Sequence, residues 1–340
     1  MFGLELDLPL IWGCLIATAI LVYVILDGFD LGIGILFPFT RSRAERDTMI
    51  NSVAPVWDGN ETWLVLGGGG LLAAFPLAYA TLFPALYAPL IIMLLALVFR
   101  GVAFEFRFKS SNNKHLWDVA FSAGSIIATF CQGIALGAFI QGINVDGRNY
   151  SGGWFDWLTP FSMITGAALV AGYGLLGACW LIMKTDGELQ TLMRKSASFT
   201  AVIVLFFVAL VSLWTPMLSP EIAERWFTLP NLYYFSPVPV LVALSAIGFY
   251  WSLYRNSEAG PFLYALAFFV LSFVGLAISM YPYIVPRVFT IWDAAAPDES
   301  LGFLLVGTVV LLPMILGYTA YSYWIFRGKV ADEDGYHEHS

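Results

Sequence analysis

Residues 8–39 read LPLIWGCLIATAILVYVILDGFDLGIGILFPF, 32 residues with no basic side chain and only two acids, Asp27 and Asp30. About 20 mostly apolar residues in a helix cross the hydrocarbon core of a bilayer. This run is therefore long enough to span a membrane and project beyond it. The whole chain shares its character. Of 340 residues, 59% are hydrophobic and 12% charged, whereas a soluble domain needs roughly 25% charged residues to clothe its surface. Lipid is the expected solvent.

Reading outward from that first run, further apolar stretches fall near 56–75, 77–108, 116–143, 158–184, 196–216, 238–255, 261–282 and 301–326. The second and third are separated at Phe75-Pro76, because proline cannot donate to the preceding turn. Pro84 and Pro89 should bend the third helix, and Gly67 to Gly70 allow close helix approach in a membrane. The sequence predicts an all-α integral membrane protein of about nine transmembrane helices: two four-helix bundles plus one peripheral helix. Residues 1–149 form the first bundle, 150–299 the second, and 300–340 the ninth helix with an acidic tail. No internal sequence repeat supports the division.

Loop charges orient this arrangement. With nine spans, alternate loops on one side hold Arg41, Arg43, Arg46, Arg100, Arg107, Lys109, Lys114, Lys184, Arg194, Lys195, Arg255, Arg327 and Lys329. The other side holds only Arg148, Arg225 and Arg287. Basic residues stay cytoplasmic, so the N-terminus is expected outside and the C-terminus inside a bacterial inner membrane. The first helix lacks the basic flank and cleavage site of a signal peptide and is expected to be retained. The net charge of −8 owes much to Asp332, Glu333, Asp334 and Glu338 in the tail, a solvated run that implies no partner. No basic cluster suggests nucleic acid.

Ionisable groups inside a bilayer cost a few kcal/mol each and mark candidate functional positions. Helices one to four carry Asp27, Asp30, Asp58, Glu61, Arg100, Glu105 and Asp118 within or near their spans, while the interiors of helices five to nine carry none. Asp27 and Asp30 are three apart, on one helix face; so are Asp58 and Glu61 in the returning helix. Such carboxyls could relay protons if burial makes their protonation reversible. They could equally cap helix ends or pair with Arg100 or Arg107. Arg100, Glu105, Arg107 and Lys109 read as an ion-pair network at the cytoplasmic end, with Glu105 and Lys109 four apart in the favourable order.

The three histidines, His115, His337 and His339, lie in a loop and the tail. Haem iron is commonly held by His, sometimes with Met or Cys, so the chain is expected to bind no haem or metal by itself. Met93, Met163 and Met280 read as packing filler. Cys14, Cys131 and Cys179 show neither metal nor disulfide spacing. Aromatic belts account for Trp154, Trp157, Tyr233, Tyr234, Tyr281, Tyr283 and Trp292; Trp57 and Trp63 flank the acids and suit the lining of a path.

Five segments carry a family resemblance: Asp27-Gly-Phe-Asp-Leu-Gly-Ile-Gly34, Ala54-Pro-Val-Trp-Asp-Gly-Asn-Glu-Thr-Trp63, Arg100-Gly-Val-Ala-Phe-Glu-Phe-Arg107, Tyr281-Pro-Tyr-Ile-Val-Pro286 and Thr290-Ile-Trp-Asp-Ala294. In these the chain resembles subunit II of cytochrome bd-type quinol oxidases, with most likeness to the cyanide-insensitive branch. Arg287 departs from the small or polar residue expected after Pro286. The resemblance implies a haem-bearing subunit I as partner, holding haems b and d and the quinol site. The complex oxidises quinol and reduces dioxygen to water with cytoplasmic protons, and small accessory subunits are left open. It also implies that Asp58 matches an acid of proton uptake, with Asp27, Asp30 and Glu61 close to that route, and that Trp63 lines an oxygen path. Some members hold a quinone in subunit II. A proton- or cation-coupled transporter is the alternative reading, although transporters show broken helices at matching positions in two repeats and the second half here has no counterpart of the acids.

Overall fold

The computed structural model describes residues 6–40, 42–110 and 113–330. Arg41 and the tail acids and histidines, Asp332, Glu333, Asp334, Glu338, His337 and His339, lie outside the described residues. Helix α1 (Leu8–Leu36) begins at Asp7, whose carboxylate accepts the Leu10 amide at 3.0 Å, and runs into a 3-10 turn at Phe37–Phe39. A short helix α2 (Arg43–Asn51) starts with a Ser42/Glu45 capping box, which satisfies two otherwise unpaired amides. Then follow α3 (Trp57–Ala74), α4 (Pro76–Ala85), α5 (Tyr87–Lys109) and α6 (Lys114–Gln141).

A hairpin of β1 (Val145–Asp146) and β2 (Asn149–Tyr150) leads to α7 (Pro160–Lys184) and α8 (Gly187–Leu218). Short helices α9 (Pro220–Phe227) and α10 (Asn231–Phe235) precede α11 (Pro237–Tyr254) and α12 (Gly260–Met280). A second antiparallel hairpin, β3 (Tyr283–Val285) with β4 (Phe289–Thr290), and α13 (Ile291–Ala294) lead to α14 (Asp298–Ile325). Arg287, in the turn of that hairpin, adopts a left-handed φ of 64°, and its guanidinium donates to the Gln141 carbonyl.

Among the described residues, eight helical segments are long and apolar enough to cross a membrane: α1 with its 3-10 extension, α5, α6, α7, α8, α10 with α11, α12 and α14. Helix α3, with Asp58, Asn60 and Glu61 in its first turns, is not among them, yet it also runs from end to end. The Ser52 carbonyl just before it accepts from Trp180 at the end of α7 (3.4 Å), and the Ala74 carbonyl at its other end accepts the Ala296 amide (2.8 Å). The expected third span, 77–108, is not one bent helix but two, broken at Leu86. Pro84 and Pro89 each remove a backbone donor close to the break, and α4 turns away to pack on β2, β3 and α13.

Side-chain contacts tie the loops of each end together. At one end Lys329 reaches Asp186 (2.5 Å), Glu258 (2.6 Å) and the Thr185 carbonyl (3.2 Å), while Lys184 donates to the Phe326 carbonyl. At the other, Trp292 donates to Asp7 and Trp12 to the Leu301 carbonyl. Arg148, Arg225 and Arg287 lie at this second end, and the remaining described loop cations lie at the first, here called the basic end.

The core forms where α1 is enclosed by α3, α6 and α7. Every residue from Asp27 to Leu36 is buried, the signature of a helix covered on all sides. Glycine makes that possible: a Cβ on Gly32 would run into the Tyr173 carbonyl, and one on Gly177 into the backbone of Gly32 and Ile33. The two backbones therefore touch directly, as small residues permit between membrane helices. In contrast, α14 buries only Leu301 and stands at the periphery.

Candidate functional site

The enclosed half of α1 brings Asp27 and Asp30 to the centre of the bundle, both with 0% exposure. Arg100 of α5, also fully buried, points between them: its Nη2 lies 3.4 Å from Asp27 Oδ1 and 3.9 Å from Asp30 Oδ2. Its Nη1 lies 3.9 Å from Glu61 Oε2 of α3. The guanidinium also sits over the rings of Trp57 and Phe104, 5.4 and 5.2 Å from their centroids, and those rings stack at 4.9 Å. Gly124 lets α6 approach this point, since a Cβ there would press on the Ala96 carbonyl and on Arg100 itself.

The ion pairs are loose. Charge-assisted hydrogen bonds measure about 2.7–2.9 Å, and none of the three Arg100 contacts is that short. Both oxygens of Asp27, Oδ1 of Asp30 and all three nitrogens of Arg100 are buried without a well-formed hydrogen bond in the protein. Such orphaned groups are costly in a low dielectric, and unpaired buried polar atoms in native proteins call for a functional explanation.

Two chains of neutral donors reach the cluster. Tyr323 of α14 donates its hydroxyl hydrogen to Asn60 Oδ1 at 2.8 Å, and Asn60 Nδ2 donates to Asp30 Oδ2 at 2.7 Å. On the other side Tyr173 of α7 donates to Gln132 of α6 at 2.9 Å, and Gln132 donates to the Tyr23 hydroxyl at 2.6 Å. Tyr23 lies one turn before Asp27, and its hydroxyl approaches the Asp27 carboxyl closely enough to interact with it both by charge and by hydrogen bonding. Charge alone does not reveal Tyr23, Asn60, Gln132, Tyr173 and Tyr323. The available signal was uncharged amide side chains, Asn60 and Gln132, within apolar spans.

The structure divides the four residues of the expected ion-pair network. Arg100 belongs with the acids of α1 and α3. Arg107, 1% exposed, donates Nε to Asp118 Oδ1 at 2.6 Å and Nη1 to Asp47, while Arg46 takes Asp118 Oδ2 at 2.9 Å. Glu105 and Lys109 pair with each other on the surface at 3.7 Å. There are thus three separate groupings, because the helix turns Arg100 and Arg107 inward and leaves Glu105 and Lys109 outside. Asp58 was expected beside the buried acids. It lies exposed on the surface of the chain in the first turn of α3 and pairs with no described cation. Glu61 is partly buried, its side chain 26% exposed. Trp63 is buried against Ala19 and Tyr23. His115 is exposed at the start of α6, and no group of residues that could hold a metal ion occurs among the described residues.

An all-α membrane protein with eight helical segments fit to cross a bilayer among the described residues, and with acids buried around Arg100, is the class this geometry defines. The sequence matches the family model described as cytochrome bd terminal oxidase subunit II over residues 8–326. It is 32% identical to cytochrome bd-I ubiquinol oxidase subunit 2 of Escherichia coli K12, over 96% of both chains. It is 30% identical to cytochrome bd ubiquinol oxidase subunit 2 of Bacillus subtilis 168, over 95% of this chain and 97% of that one. The fold is similar to a chain in the structure of bd oxidase from Geobacillus thermodenitrificans, with a TM-score of 0.75, 18% identity, and coverage of 94% of this chain and 99% of that one. The chain belongs to the cytochrome bd terminal oxidase subunit II family.

Proposed function

We propose that the chain works as the haem-free second subunit of a bd-type quinol:oxygen oxidoreductase, supplying part of the proton path to iron centres held by its partner. Its family makes it a subunit of an oxidoreductase complex in a membrane, and nothing supports the transporter alternative. The observation that carries the finer reading is the buried group of Asp27, Asp30, Arg100 and Glu61 at the basic end. By the positive-inside rule that end faces the cytoplasm of a bacterial inner membrane, which puts the N-terminus outside.

In this reading subunit I carries haems b and d and the quinol site, and the present chain needs no haem ligand of its own. Protons enter near Asp58 and Glu61 and move towards Asp27 and Asp30. An exposed carboxylate in the first turn of a membrane helix is costly against lipid, which supports a protein partner covering Asp58. Trp63 is proposed to line an oxygen path. Residues 1–149 then hold the charge-handling bundle, 150–299 scaffold it, and 300–340 add the peripheral helix and tail, although Tyr173 and Tyr323 reach the cluster from the later segments.

The test is the complex carrying Asp58→Asn, purified from its host membrane. Quinol oxidase turnover should fall while the visible haem spectrum and the co-purifying subunit are retained. Unchanged turnover refutes the path, and haem found stoichiometrically on the isolated chain refutes the division of labour.

A further inference from the structure

The two central acids are not equivalent. Asp30 Oδ2 receives a short hydrogen bond from Asn60 Nδ2 (2.7 Å), and the second hydrogen of that amide has the Leu26 carbonyl as acceptor at 3.4 Å. The amide oxygen of Asn60 accepts from Tyr323 at 2.8 Å. An asparagine side chain can present either its NH2 or its oxygen to a neighbour, and the hydrogen-bond network decides which. Here two acceptors lie on the nitrogen side and a hydroxyl donor on the oxygen side, so the NH2 faces Asp30. That orientation offers a hydrogen to a carboxylate and nothing to a protonated carboxyl's own hydrogen. Asp27 differs: neither of its oxygens holds a well-formed hydrogen bond, and the hydroxyl that approaches it, that of Tyr23, can either donate or accept and so suits both protonation states.

We propose that Asp30 is the fixed anion opposite Arg100, that Asp27 is the member of the pair that takes up and releases the proton, and that Asn60 and Tyr323 are positioning residues that enforce this division. The proposal rests on the proton-path reading for its purpose, but not for its test. The groups facing the pair are Arg100 from α5, Glu61 and Asn60 from α3, Tyr23 from α1 itself, Tyr173 from α7 and Tyr323 from α14. With one cation against two fully buried carboxyls, one neutralised acid leaves the buried pair with Arg100 electrically balanced, and burial of uncompensated charge is what the interior resists. If Asn60 turned, its oxygen would face Asp30 and favour the protonated form there; the Tyr323 hydroxyl and the Leu26 carbonyl both hold it back.

The experiment is infrared spectroscopy of the purified complex in the stretching region of protonated carboxyl groups, as wild-type-minus-variant differences at neutral pH. Asp27→Asn should remove one protonated-carboxyl band and Asp30→Asn none. Loss of a band in Asp30→Asn, in both variants or in neither overturns the assignment. Should Asp27→Asn fail to assemble, Tyr323→Phe removes a single oxygen: it should add a protonated-carboxyl band that Asp30→Asn abolishes in the same background, and an unchanged spectrum overturns the role of Tyr323. A purely structural tyrosine does not move that band. If Asp27→Asn loses its band yet keeps full turnover, the proton assignment stands and the path reading falls.

Discussion

Replacing Arg100 with methionine keeps most of the side chain's volume and deletes its charge. The structure sets the size of the effect. Unit charges 4 Å apart interact by about 4 kcal/mol at an effective dielectric of 20, and Arg100 faces two fully buried carboxyls at 3.4 and 3.9 Å. Desolvation of the arginine offsets much of this gross attraction, so the pair's net worth is small, but removing one partner strands the others. Breaking a buried pair in this way costs about 3–5 kcal/mol, and the lost stacking on Trp57 and Phe104 adds about 0.5–1 kcal/mol. The assay is heat-induced loss of the monodisperse complex in detergent, followed by size-exclusion chromatography. Arg100→Met should lower the midpoint sharply. The triple variant Arg100→Met/Asp27→Asn/Asp30→Asn should recover most of the loss, because only the partly exposed Glu61 is left without its cation. Strict additivity, with the triple variant no more stable than Arg100→Met, refutes the argument that these three groups form one electrostatic unit.

Gly32→Ala drives a methyl group into the Tyr173 carbonyl; a cost of about 1–3 kcal/mol is expected, read as a lower thermal midpoint, and wild-type stability refutes the close α1–α7 contact. Arg107→Met should destabilise by about 2–3 kcal/mol, less than a wholly buried pair because Asp47 is 37% exposed; Lys109→Met, which breaks only the exposed pair with Glu105, should change stability by less than about 0.5 kcal/mol. Hydrogen bonds from Lys329 and Gln190 hold the Glu258 carboxyl below the usual range, and Asp186 and Glu258 raise the Lys329 ammonium. A depressed acid stabilises above its unfolded value and loses that contribution as pH falls through its folded one. The clasp on residues 326–330 should therefore hold at neutral pH and open in acid, where Glu258 is protonated, or in strong alkali, where Lys329 loses its proton, seen as faster amide exchange there; opening near pH 7 refutes it.

The membrane fold was legible because periodicity hardly matters when whole runs are apolar. Seven helices stand within three residues of their expected bounds, α8 begins nine residues earlier than expected, and the loop cations segregate as expected. What the sequence hid follows from geometry in three dimensions. Pro84 and Pro89 announced a bend, but whether the helix bends or breaks depends on what α4 finds to pack against. Asp27 and Asp30 were recognisable as candidates from charge alone, while Tyr323 was invisible, since an aromatic near a span end reads as belt. Asp58 and Glu61 share a spacing with Asp27 and Asp30, yet only α1 is enclosed on every side; burial is a property of neighbours that spacing cannot report. Arg100 and Arg107, seven apart, share a helix face but serve different acids, because α1 meets α5 at the first and α2 with α6 at the second.

The placement of Tyr323 on α14 has a consequence for biosynthesis. The hydroxyl that orients Asn60 belongs to α14, and it leaves the ribosome more than 260 residues after the side chain it contacts. Until α14 has been made, the acids of the first helices lack one member of their setting. A chain cut short before α14 would already hold Asp27, Asp30 and Glu61, yet remain chemically unfinished.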